Sequence, residues 1–324
     1  MKTPASRAVS RLVFAALALL VVAFQLSPAV VAGFFAYTML HAVHRRLAAR
    51  IAPARARWLS LLAFLAAAVA LAWLSGHLLR DSLTSIPDIL DRALPRLHEF
   101  SLRYGIELPF ESAEELRQSA ARSLLENAHA VTRCTGLLTK RVFHILIALL
   151  IAVFCFMASE ADRHQENLYD ALRRELSERI GRFARSFELI LGAQVVISAI
   201  NTFFTAVFLI ALDFPHTAFL VPITFILGIL PIIGNLLSNT IIVGAALTMS
   251  LRHAVLALAF LVLIHKGEYF LNSRVVGSTI QAPMWQTLLG ILVGEALLGV
   301  PGIILAPVVL HYIRGEMSSM PAAG

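Results

Sequence analysis

Residues 214–251 read FPHTAFLVPITFILGILPIIGNLLSNTIIVGAALTMSL, 38 residues without Asp, Glu, Lys or Arg, interrupted near the middle by Pro231-Ile232-Ile233-Gly234-Asn235. As a single helix the run would be about 57 Å long, roughly twice a hydrocarbon core of ~30 Å. Proline removes a backbone donor and clashes with the preceding turn, so the run divides there into arms of about 14 and 16 residues, near 21 and 24 Å. Neither arm comfortably crosses a bilayer. A re-entrant hairpin with its tip at mid-depth answers both lengths, because broken backbone is tolerated inside a membrane where protein or a cavity covers it.

Working outward, the same lack of charge recurs at 12–44, 58–79, 142–159 and 189–212. Each stretch approaches or exceeds the roughly 20 apolar residues of a membrane helix. Hydrophobic residues make up 58% of the chain and charged ones 15%, against about 25% charged in soluble domains, and mean hydropathy is +0.78. The runs do not alternate in polarity, which excludes a transmembrane barrel. The fold class is all-α and polytopic, with about six to eight membrane segments.

The pattern at 214–251 returns once. A helix at 189–212 precedes it; a helix from 253 to about 271 precedes 284–313, which is interrupted at Gly299-Val300-Pro301-Gly302. Helix followed by broken hairpin therefore occurs twice, at 217–250 and 284–313. If each hairpin enters and leaves on one side, the two pairs run in opposite directions and form an inverted repeat, an arrangement that places helix ends and open backbone near a solute at the midplane. The two tips are then expected near mid-membrane and close to each other. Proline and glycine as mere kinks in full-length helices is the competing reading.

Charge sets the expected orientation. The formal charge of +7 flanks apolar segments instead of forming one face, so it signals topology and not nucleic acid. Lys2, Arg7 and Arg11 precede apolar sequence that continues to His44 without a polar stop, which reads as a retained anchor. The run 12–44 is too long for one crossing and bends at Gln25-Leu26-Ser27-Pro28, giving a hairpin. Residues 44–57 carry Arg45, Arg46, Arg50, Arg55 and Arg57 and no acid, which places that loop and the N-terminus in the cytoplasm. Helix 58–79 leads out. Segment 80–141 holds nine basic and nine acidic residues and reads as an extramembrane amphipathic region, with Leu83, Ile86, Leu90, Leu94 and Leu97 as its apolar stripe. That stripe suits a soluble cap or a contact between copies of the chain. Segment 142–188 combines a returning helix with a cytoplasmic amphipathic helix whose Arg173, Arg174, Arg179, Arg182 and Arg185 suit anionic lipid or a packed connector. Residues 189–315 form the core with both broken hairpins, and 316–324 a short cytoplasmic tail.

Leu230-Pro231-Ile232-Ile233-Gly234, Glu268 through Gly277 (EYFLNSRVVG), and Gly294-Glu295-Ala296-Leu297-Leu298-Gly299 leading to Ala306-Pro307 together resemble the AI-2E family of autoinducer-2 exporter-like bacterial permeases. The resemblance covers about 12 to 315. It implies a multi-pass inner-membrane permease with a long extramembrane segment after the third helix, linked in the family to export or to cation/proton exchange. The sequence departs from the family pattern at Asn235, where a second proline is usual, at Ser273, where a proline is expected before Arg274, and at Ala282, where a histidine is common. Substrate identity therefore does not carry over.

Several residues are candidates for a solute or ion pathway. Glu295 is the only charge from 275 to 313, and an acid there costs about 2.5–3.5 kcal/mol on insertion scales; it serves as a proton or cation carrier or as an acid bonded between helices. Glu268, with Lys266 and Arg274 nearby, reads as an interfacial salt-bridged cluster or a gate. Asn201 and Gln194 share a helix face, for substrate contact or for bonding across helices. Asn235 and Asn239 share a face beside a helix N-terminus, which favours anions. Pro231, Gly234 and Pro301 shape the tips. No catalytic constellation, metal-ligand spacing or phosphate-binding glycine loop is present, so neither catalysis nor a cofactor is expected. The expected function is a secondary transporter or exporter of a small solute or ion, ion-driven and working by alternating access, with lipid, solute and further copies of the chain as partners. The alternative is a non-transporting scaffold or assembly factor that binds a partner through 80–141.

Overall fold

The computed structural model describes residues 4–105, 128–158, 168–230, 233–275 and 283–318; the side chains of 4–8, 128–139, 269–275 and 284 are left undescribed within them. Among the described residues there are ten helices. They are α1 (Pro4–Ala23), α2 (Ser27–Ala48), α3 (Pro53–Tyr104), α4 (Ala128–Met157), α5 (Leu168–Ala211), α6 (Thr217–Gly228), α7 (Ile233–Met249), α8 (Leu251–Val275), α9 (Met284–Leu298) and α10 (Val300–Ser318). Part of α3, part of α5 and residues 140–157 of α4 are long and apolar enough to cross a membrane, and α1, α6, α7 and α9 contribute shorter apolar stretches. Val69 is 70% exposed, Phe154 63% and Leu263 68%. Such surfaces are stable against lipid and not against water, so the chain is a multi-pass membrane protein.

The expected breaks at both hairpins are present. Helices α6 and α7 hold 12 and 17 residues, and α9 and α10 hold 15 and 19, so their lengths run from about 18 to 28 Å. In the second hairpin Gly299 turns at φ 66°, a left-handed conformation that costs glycine nothing.

Two expected boundaries are absent. Helix α3 runs 52 residues straight through 79–80, past Pro87 and Pro95, because the apolar residues beyond 80 keep helical spacing and no glycine or cap stops the chain. Likewise α5 continues unbroken through 188–189 for 44 residues. The amphipathic stretch 168–188 and the apolar stretch that follows it therefore belong to one helix.

The chain divides into two compact units. The first contains the described residues of 1–69, 138–192 and 280–324, and so holds the second hairpin. There Ala36 and Leu40 of α2 are fully buried with Phe64 of α3 and Phe156 of α4, and Phe14, Phe34, Phe183 and Tyr312 bring α1, α2, α5 and α10 into ring contact at 5.0–6.3 Å. The second contains those of 70–137 and 193–279, with the first hairpin. Its core gathers Leu209, Leu220, Ile242, Ala246 and Ala257, and Phe208 stacks on Phe260 with ring centroids 4.1 Å apart.

The stripe expected at 83–97 also shifts. Leu83 is 70% exposed, while Leu78, Ser85, Ile89, Ala93 and Leu94 are buried. The reason is polar. Asp88 bonds the His216 ring at 2.9 Å, and Arg96 donates to the Leu247 carbonyl at 3.0 Å, so contacts to the first hairpin rotate α3 until Ile89 meets Gly244.

Candidate functional site

The first hairpin is built by satisfying backbone that a short helix leaves bare. The chain reverses after α5 through Asp213 and His216, both at positive φ, and Thr217 Oγ1 donates to the Phe214 carbonyl at 2.7 Å. At the far end of α6, Gln194 donates to the Gly228 carbonyl at 2.9 Å and Ser198 to the Phe225 carbonyl at 2.7 Å, both from α5. These are orphan acceptors of a helix terminus, and bare carbonyls in hydrocarbon cost several kcal/mol each. Gln194 thus has a structural partner, the cross-helix outcome. Asn201, on the same helix, is half-buried.

The second arm then packs on the first at a glycine. A Cβ on Gly234 would lie 1.7 Å from the Leu227 carbonyl oxygen, backbone against backbone. Asn235, one residue on, is 7% exposed and donates through Nδ2 to Glu268 Oε2 of α8 at 2.6 Å. The buried Ser238 returns its hydroxyl to the Asn235 carbonyl, and Asn239 is half-buried. The Glu268 side chain is 10% exposed, with the His265 ring 3.9 Å away. Lys266 is exposed, while the acid meets the hairpin amide in the first turn of α7, where the helix dipole favours negative charge. Asn235 and Glu268 come together, a meeting that spacing in sequence could not show. Pro231 and the side chain of Arg274 lie outside the described residues.

The second hairpin closes in the same way. A Cβ on Gly302 would stand 1.8 Å from the Gly294 carbonyl oxygen, and one on Gly294 2.6 Å from that of Gly302. The tip docks on the start of α2, where the buried Ser27 donates to the Leu298 carbonyl at 3.1 Å. Beside this contact lies a cleft of about 370 Å³ lined by Gln25, Arg141, Glu295, Pro301 and neighbours. Glu295 is exposed on the protein surface and makes no ion pair among the described residues.

A third polar cluster escaped the sequence reading. Arg179 is 4% exposed and bonds Ser10 at 3.0 Å and Glu316 at 3.2 Å, while Arg182 reaches the other Glu316 oxygen at 3.0 Å. Arg179 belongs to a buried ion pair with α10 and not to a lipid-facing row. The only available signal was Glu316 following Tyr312 by one turn, whose hydroxyl donates to it.

The AI-2E family transporter profile matches residues 10–317, nearly the whole chain. The chain belongs to the AI-2E family. A protein of Bacillus subtilis (strain 168) named "Putative transport protein YdbI" is 29% identical over 126 residues, which are 38% of this chain and 36% of that protein. The matched stretch thus spans about a third of the relative's length. As an AI-2E transporter, the chain places the family-like motifs at the glycine closures of both hairpins and at Glu268.

Proposed function

We propose that this chain is a secondary transporter of a small solute or ion in the bacterial inner membrane, driven by an ion gradient and working by alternating access around two re-entrant hairpins. Asn201, Pro231, Gly234, Asn235, Asn239, Glu268, Arg274, Glu295 and Pro301 line or shape the pathway. The single observation carrying this reading is the Asn235–Glu268 bond at 2.6 Å. It ties a hairpin tip to a nearly buried carboxylate, and a charge-assisted bond of that kind contributes about 1.5–3 kcal/mol. A proton or cation taken up by Glu268 cancels the charge that holds the tip, so ion binding and tip release become one event. The arginines at 45–57 support cytoplasmic N- and C-termini with 80–141 outside.

The test is flux in proteoliposomes across a solute panel under imposed proton or sodium gradients. Gradient-dependent flux that Asn235→Leu impairs, without loss of folded yield, is expected. Glu268→Gln should leave downhill exchange but abolish the dependence on the gradient. Flux unaltered by either substitution would remove the first hairpin from the pathway, and absence of any flux would favour a scaffold.

A further inference from the structure

The cleft at the second hairpin holds opposite charges that do not meet. Arg141, at the start of the apolar part of α4, and Glu295, on α9, both line it. Among the described residues Arg141 Nη2 approaches only the Gln25 amide oxygen, at 3.5 Å, and Glu295 makes no ion pair. Unlike charges that line one cleft attract each other, and these two make no contact. Here each is held on its own helix, with Pro28 and Pro301 on the rim and the base fixed by the Ser27–Leu298 bond.

Two backbone carbonyls of the cleft are already engaged. The Leu298 carbonyl takes Ser27, and the Glu295 carbonyl takes the Gly299 amide at 2.7 Å. The charged side chains it offers a ligand are one guanidinium and one carboxylate, beside the amide nitrogen of Gln25. Guanidinium binds carboxylate or phosphate through a planar fork, and a carboxylate accepts from an ammonium. A space of about 370 Å³ equals roughly a dozen waters at ~30 Å³ each, enough for a solute of amino-acid size.

We propose that this cleft binds a small zwitterion, its anionic end on Arg141 and its ammonium on Glu295. The inference names a substrate class and so rests on the transporter reading. The same chemistry is offered by a free amino-acid-like solute and by the phosphoethanolamine headgroup of a lipid.

The experiment measures binding and not flux, so the two readings can fail separately. The full chain is placed in phosphatidylglycerol nanodiscs and titrated with glycine, L-serine and L-leucine, and with 3-methylbutylamine and 4-methylpentanoate as singly charged analogues of leucine. In a second arm, nanodiscs containing phosphatidylethanolamine are assayed for retained lipid by native mass spectrometry. Saturable binding of one zwitterion, or retention of phosphatidylethanolamine, at least tenfold above the singly charged probes or phosphatidylglycerol is expected. Glu295→Gln should raise the relative standing of the anionic probe, and Arg141→Gln that of the amine. Both are surface substitutions that leave packing intact. Equal binding of charged and zwitterionic probes, binding of none with no lipid retained, or variants with unchanged selectivity would each overturn the proposal, while gradient-driven flux in the earlier assay would leave the transporter reading standing.

Discussion

Substituting Gly234 by alanine tests whether the first hairpin is closed as tightly as its geometry states. The added Cβ would lie 1.7 Å from the Leu227 carbonyl oxygen, whereas real Cβ contacts essentially never fall below 3.0 Å. The arms must therefore part by at least 3.0 − 1.7 = 1.3 Å at the tip, and the opposing atom is backbone, which cannot rotate away. Overpacking of this kind costs about 1–3 kcal/mol, or roughly 5- to 150-fold in the folded population at 1.4 kcal/mol per tenfold. Because Asn235 is the next residue, the 2.6 Å bond to Glu268 should be lost in the same step. Gly267→Ala on α8 is the control: nothing lies within 4 Å of its Cβ, and alanine there should be neutral or stabilising by about 0.5–1 kcal/mol. Thermal unfolding of the detergent-purified protein and gradient-driven flux should both fall for Gly234→Ala and hold for Gly267→Ala. Equal melting temperatures and equal flux would refute the close approach.

Gly302→Ala should behave like Gly234→Ala in the other unit, since its Cβ meets the Gly294 carbonyl at 1.8 Å; a wild-type melting curve would contradict this. Arg179→Leu should destabilise by about 1.5–3 kcal/mol, the worth of a charge-assisted bond, because Glu316 loses one guanidinium and keeps Arg182; the loss should be less than additive with that of Glu316→Leu, and additive losses, read by denaturant unfolding, would dismiss the pair. Asp88 lies beyond the apolar run of α3, and the hydrogen bond from His216 holds its carboxyl below the ordinary range. Its contribution is thus fully present above about pH 4 and lost as pH falls through the depressed value, so hydrogen exchange at 213–217 should accelerate only under strong acid, and Asp88→Asn should abolish that dependence. A cysteine at Ser112, on a background lacking Cys134 and Cys155, should react with an impermeant thiol reagent in intact cells; protection until lysis would reverse the topology.

The hairpin breaks were legible because proline, glycine and uncharged length are local properties. Interruptions near Pro231 and Gly299 follow from chain chemistry alone. Continuous α3 and α5 were not, since a change from apolar to charged composition looks like a boundary although helical hydrogen bonding ignores it. Spacing identified Asn235 and Glu268 as separate candidates, but their bond joins residues 33 apart and depends on how α7 folds back on α8. The Arg179–Glu316 pair spans 137 positions, a separation at which an arginine-rich helix face reads as surface until a partner is seen. The shifted face of 83–97 has the same origin: hydrophobic periodicity proposed one stripe, and the polar contacts of Asp88 and Arg96 selected another.

The bonds from Gln194 and Ser198 to the end of α6 also bear on how the protein is made. The donors precede their acceptors by 34 and 27 residues, so at about 5–20 residues per second they leave the ribosome a few seconds earlier. A short arm entering the membrane therefore finds its terminal carbonyls already provided for by the helix synthesised just before it. For the second hairpin it is the donor that waits longer, because Ser27 is made 271 residues ahead of Leu298. Ribosome-stalled chains ending before and after 228 should then differ in little but length, whereas α9 should integrate stably only in chains that retain the first two helices.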